Sequence, residues 1–138
     1  MIYKGPEAWN DWRAVNSKIR PDFIQANLVK ANLANANLRW ADLSGADLSG
    51  ANLSGTDLCG ASLDSAYLSG ARFNNTSLKL ANLRLANLSR AKLANQDLRG
   101  ANLNGTQLSG GRVSHRAMRV RCLFRAFKLR TMISCADF

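Results

Sequence analysis

Three cysteines (Cys59, Cys122 and Cys135) and one histidine (His115) are the side chains of this 138-residue chain best suited to metal binding or nucleophilic chemistry. Their spacing favours neither. No two cysteines form a CxxC pair, and a single histidine cannot complete the usual Cys/His zinc patterns. No Gly-x-Ser-x-Gly turn is present for His115 to serve, and the P-loop, the dinucleotide fingerprint and the Gly-Gly-x-Gly-x-Asp calcium repeat are absent. Free thiols in a reducing, cytoplasmic compartment are expected, with no catalysis, cofactor or metal.

The remaining chemistry is charge. Nineteen Lys and Arg against nine Asp and Glu leave a formal net charge of +10, which argues against an acidic imitation of nucleic acid. A phosphate, an anionic lipid surface or an acidic protein would suit it. The excess is uneven: +4 over residues 1–110 and +6 over 111–138. The first residues lack the apolar stretch of a secretory signal, and no apolar run approaches the ~20 residues that span a bilayer.

A repeat positions these charges. From Pro21 to Gly110 the chain divides into 18 five-residue units without insertion. The third residue is Leu in 16 of them, with Phe23 and Phe73 the exceptions, and the first is Ala in 13. Asn or Asp takes the second place in 12 and Gly the fifth in 8, as in Ala46-Asp47-Leu48-Ser49-Gly50. On an α-helix a period of five would rotate each Leu by about 140° from the last and scatter the leucines over every face. On a straight strand the odd period would send alternate leucines to opposite sides. A bend once per unit removes the conflict: Ala and Leu, two apart, both point inward, and residues four and five turn the corner. Four bends close a square coil of twenty residues.

These units resemble the pentapeptide-repeat family, with its Ala-(Asp/Asn)-Leu-x-x motif. The resemblance covers 90 of the 138 residues. It implies an all-β solenoid, a right-handed quadrilateral β-helix, of about 4.5 coils and roughly 20 Å at the β spacing. Some members protect DNA gyrase from quinolones through a long acidic rod that imitates duplex DNA. This chain is basic and short, so neither property carries over well.

Folding the sequence onto the coil stacks its charges in columns. Arg39, Cys59, Lys79, Arg99 and Arg119 share one wall, with Cys59 expected as an exposed thiol. Arg72, Lys92 and Arg112 share another, with Arg90 at the neighbouring corner. Asp22 falls over Asp42, and Asp57 lies two rungs from Asp97. Asn32 with Asn52, and Asn82 with Asn102, are placed to hydrogen-bond along the rod. Ice binding is not expected, because the four threonines fall on three walls and form no regular array.

The ends depart from the repeat. Residues 1–20 form an N-terminal capping segment, with a helix over 6–16 begun by Pro6 and Glu7. Ala8, Trp12, Val15 and Ile19 recur at helical spacing, with Trp9 beside them, as a plug for the first coil, and the two tryptophans are its core. Residues 111–138 form a degenerate basic cap or tail. Read as a helix, Ala117, Val120, Leu123, Phe124 and Phe127 share a face flanked by Arg119, Arg121, Arg125, Lys128 and Arg130. This segment suits a cap, a homodimer contact or a membrane-surface anchor. The favoured function is a binding or scaffold module whose basic wall meets a protein or another anionic partner; the other is peripheral membrane association through the tail. Nucleic acid is a poorer fit.

Overall fold

The computed structural model describes residues 1–93 and 96–110, and the backbone of 112–113. From Pro21 onward the chain turns once per unit, and the second residue of each unit pairs in parallel with the residue twenty positions later. Asp22 meets Asp42, Asn27 meets Asp47, Asn32 meets Asn52 and Asn37 meets Asp57 around the first coil, and the pattern runs on to Asn87 with Gln107. The four walls thus begin at residues 21, 26, 31 and 36. On the third wall the pairing lengthens into two short strands, β1 (Lys92–Leu93) and β2 (Arg112–Val113), with Lys92 opposite Arg112.

Backbone donors are satisfied by a repeating rule. In the unit at 46–50, the Leu48 and Gly50 N–H groups donate forward to the carbonyls of Tyr67 (2.7 Å) and Ser69 (2.9 Å), and Asp47 donates back to Ala26 (2.9 Å). Ala51 closes the corner onto Leu48 at 3.0 Å. A wall this short can hold no long strand, so most of the pairing is one residue wide.

The interior is a stack of leucines and alanines, with Leu43, Leu48, Leu53 and Leu58 fully buried. The non-alanine first positions inside it carry their own partners. The Thr56, Thr76 and Thr106 hydroxyls donate to the carbonyls of Leu33 (2.7 Å), Leu53 (2.6 Å) and Leu83 (2.8 Å). Buried Gln96 accepts from the Thr76 N–H at 2.9 Å. Each bond offsets the desolvation of a polar group in an apolar core. These threonines therefore present no surface array.

Among the described residues the fifth position turns each corner in the left-handed region, whether or not it is Gly: Trp40 has φ 58°, Leu80 φ 59° and Arg90 φ 60°. Non-glycine residues sit there at a cost of about 1 kcal/mol each. Their side chains lean over the same corner of the next coil. A Cβ on Gly100 would stand 2.6 Å from Leu80 Cδ2, and one on Gly60 would collide with the Trp40 indole.

The helix α1 (Pro6–Val15), preceded by a 3-10 turn at Ile2–Lys4, lies on the open edge of the first coil. Trp9 Nε1 donates to the Asn37 carbonyl (2.8 Å), while Asn10 donates to the Asn35 carbonyl (2.9 Å) and accepts from the Asn37 N–H (2.8 Å). Trp9 stacks on Trp12 at 5.1 Å and tilts against Phe23 at 5.4 Å. Arg13 is buried, with its guanidinium donating to the carbonyls of Asn16, Ile19 and Arg39. The expected apolar stripe needs correction here. Val15 is 83% exposed and Ile19 49%, because the inward face of α1 is Trp9 and Arg13, and Ile19 lies beyond its end.

Candidate interaction surface

The outer surface is organised by the second residue of each unit. In all 12 units with Asn or Asp there, the side-chain oxygen accepts the N–H of the fourth residue. Ser49 N–H donates to Asp47 at 2.9 Å, Val29 N–H to Asn27 at 3.2 Å and Asn104 N–H to Asn102 at 3.1 Å, and the other nine follow the same rule. Asn and Asp recur because a short planar acceptor two residues upstream completes the corner. Bonding along the rod is secondary: Asn52 donates to Asn32 at 3.3 Å and Asn102 to Asn82 at 3.2 Å.

The basic columns differ in their surroundings. Arg39, Cys59, Lys79 and Arg99 stack on the fourth wall, where Trp40, Gly60 and Leu80 donate to the carbonyls of Cys59, Lys79 and Arg99. That column is largely neutralised. Arg39 reaches Asp57 at 3.0 Å, and Arg99 binds Asp97, whose carboxyl it holds down at about 2, well below the ordinary 3.8. Its bond to Asp57 in turn raises the Arg39 guanidinium. Cys59 is a correction: it is 6% exposed rather than an open thiol, because Arg39 packs on it and Trp40 covers the adjoining Gly60. On the first wall, Arg84 holds Asp64 at 2.9 Å and Arg20 holds Asp42 at 3.0 Å.

The third wall is different. Arg72 pairs in parallel with Lys92, and Lys92 with Arg112. Arg72 and Lys92 are exposed, and neither makes an ion pair among the described residues. Units 31–35, 51–55, 71–75 and 91–95 contain no Asp or Glu, whereas the first wall holds Asp22, Asp42 and Asp64, the second Asp47, and the fourth Asp57 and Asp97. Arg90 is exposed at the corner entering this wall, with its Cγ 3.8 Å from where a Cβ on Gly110 would stand. Arg119, Arg121, Arg125, Lys128 and Arg130 lie outside the described residues. Among the described residues no helix is long and apolar enough to cross a membrane, and no cluster of potential metal ligands forms.

A parallel coil paired at twenty-residue intervals on four walls, with one-residue bridges and left-handed corners, defines a quadrilateral β-solenoid. Residues 22–55, 41–79 and 81–115 match the family profile of pentapeptide repeats, in 8 copies, and the chain belongs to that family. Its coil is accordingly a right-handed one. A pentapeptide repeat protein of the Arabidopsis thaliana thylakoid lumen is 32% identical with a TM-score of 0.67, over 70% of this chain and 67% of that one. The pentapeptide repeat protein Rfr23 of the cyanobacterium Cyanothece 51142 is 43% identical, over 65% of this chain and 61% of its own length, with a TM-score of 0.36. Another from Nostoc PCC 7120 is 36% identical over 74% of each chain, with a TM-score of 0.31. A search of curated proteins gave no match.

Proposed function

We propose that this chain is a non-catalytic binding module that presents its third wall to an acidic partner protein, in a cytoplasmic setting. One observation carries the reading: Arg72, Lys92 and Arg112 are stacked in register on a wall without a carboxylate. Like charges one rung apart repel mildly, and a partner's anionic groups would relieve that repulsion. On the first and fourth walls the chain supplies its own counter-charges, through Asp42, Asp57, Asp64 and Asp97. The thiol of Cys59 is free, in keeping with a reducing compartment. Imitation of DNA by an acidic rod is opposed by the charge of +10. The test is amide mapping by NMR as the full chain is titrated with an oligoglutamate peptide. Shifts should gather on the third wall and fade with added salt; shifts spread evenly over four walls would remove the reading.

A further inference from the structure

The corner pattern breaks on all four walls of one coil. Over residues 61–80 the second positions are Ser62, Tyr67, Arg72 and Ser77. The N–H groups of Asp64, Ser69, Asn74 and Lys79, which elsewhere would be held by an Asn or Asp oxygen, have no acceptor among the described residues. Backbone donors are strong hydrogen-bonding groups, so each is a point where an outside acceptor gains a bond.

Their surroundings distinguish them. Asp64 carries its own carboxylate, and the Ser69 donor lies on the wall that holds Asp47. Lys79 shares its wall with Asp57 and Asp97. Only Asn74 lies on the acid-free third wall. Arg72 stands two residues before it, where the missing acceptor would be, and Lys92 pairs with Arg72 one coil on.

We propose that the Asn74 N–H, Arg72 and Lys92 together form a binding site for a carboxylate of an acidic peptide. This inference rests on the reading of the third wall as the contact face and specifies its chemistry. One carboxylate oxygen takes the place relative to the Asn74 N–H that Asp47 Oδ1 takes at 2.9 Å relative to Ser49 N–H. The other faces the guanidinium and ammonium groups, where hydrogen bonds are charge-assisted. A carboxylate is favoured over a phosphate because this backbone already accommodates one at five equivalent corners. Asp22, Asp42, Asp47, Asp57 and Asp97 accept there at 2.9–3.1 Å.

The test uses the full chain with oligoglutamate, and two substitutions that remove the same charge. Arg72→Ala leaves the Asn74 N–H open, whereas Arg72→Asn places an amide oxygen on it, as Asn52 does for Ser54 at 3.2 Å. Arg72→Ala should weaken binding about tenfold, and Arg72→Asn by about threefold more, in line with losing first a charged donor and then also a neutral backbone donor to the carboxylate. In the unsubstituted chain the Asn74 amide should shift most. Equal losses in the two variants with an unmoved Asn74 amide, while third-wall shifts persist, would overturn the site and leave the wall reading standing. Oligoglutamate binding the unsubstituted chain no better than a variant with Arg72, Lys92 and Arg112 all changed to Glu would overturn both. Tighter binding of oligothymidylate than of oligoglutamate at equal salt would overturn the choice of carboxylate.

Discussion

The indole of Trp40 covers Gly60, the residue at the same corner of the next coil, so that Gly60 has no room for a side chain. Gly70, at another corner with φ 69°, has nothing within 4 Å of where its Cβ would stand. Two causes of a glycine requirement are separated by this pair. Gly70→Ala should cost about 1 kcal/mol, from the left-handed backbone alone. Gly60→Ala should cost about 1–3 kcal/mol more, from overpacking against the indole. Urea midpoints of the two variants measure the difference, and Trp40→Ala in the Gly60→Ala background should recover the second part.

Asn10 both donates to and accepts from the first coil, through Asn35 and Asn37. Asn10→Ala leaves the Asn37 N–H and the Asn35 carbonyl without these partners on an open sheet edge. A loss of about 1–2 kcal/mol is expected, with faster hydrogen exchange at Asn37. An unpaired edge also invites pairing with another chain, so light scattering should rise for this variant.

The corner bond can be removed or installed. Asp47→Ala takes the acceptor from the Ser49 N–H and should lower stability by about 1 kcal/mol. Tyr67 is 55% exposed and leaves the Ser69 N–H without an acceptor among the described residues, so Tyr67→Asn should raise stability by up to about 1 kcal/mol. Thermal unfolding of both variants gives the signs directly.

The acid side of the stability curve follows from the same corners. Bonds from Ser44, Ser49 and Arg99, respectively, hold the carboxyls of Asp42, Asp47 and Asp97 below their ordinary value, Asp97 at about 2. A carboxyl lowered on folding stabilises the native state fully above its unfolded value. That contribution is lost as pH falls through the folded value. Stability should therefore decline as pH drops from 3.8 toward about 2, and Asp97→Asn should flatten the lower end of that decline in urea titrations against pH.

The architecture was legible because one constraint, burial of Leu and Ala at a period of five, admits few backbones. Sixteen leucines and thirteen alanines repeat it without a gap. The outer surface obeys weaker constraints and is less legible. The stacking of second-position Asn residues in the sequence points to bonds along the rod. Their commoner work is local, because the left-handed corner brings the fourth N–H back onto them. The column points Cys59 outward, but a column shows which residues stack and not that Arg39 reaches Asp57 from the neighbouring coil, and Cys59 is 6% exposed. The missing signal is the placement of Asp57 diagonally across from Arg39 and of Asp97 two residues before Arg99. Asp97 pairs with Arg99 two residues on and Asp57 with Arg39 of the neighbouring coil, and these pairs largely neutralise the fourth-wall column while the third wall stays charged. Arg13, polar by sequence, is buried because three carbonyls at the open end receive its guanidinium.

The third wall as the contact face is tested most directly by reversing charge on two walls in parallel. One variant changes Arg72, Lys92 and Arg112 to Glu, and the other changes Arg39, Lys79 and Arg99 to Glu, so net charge alters equally. Oligoglutamate binding at a fixed salt concentration should fall at least about tenfold in the first and stay within about twofold in the second. Equal losses in both would show that net charge, and not the third wall, holds the partner.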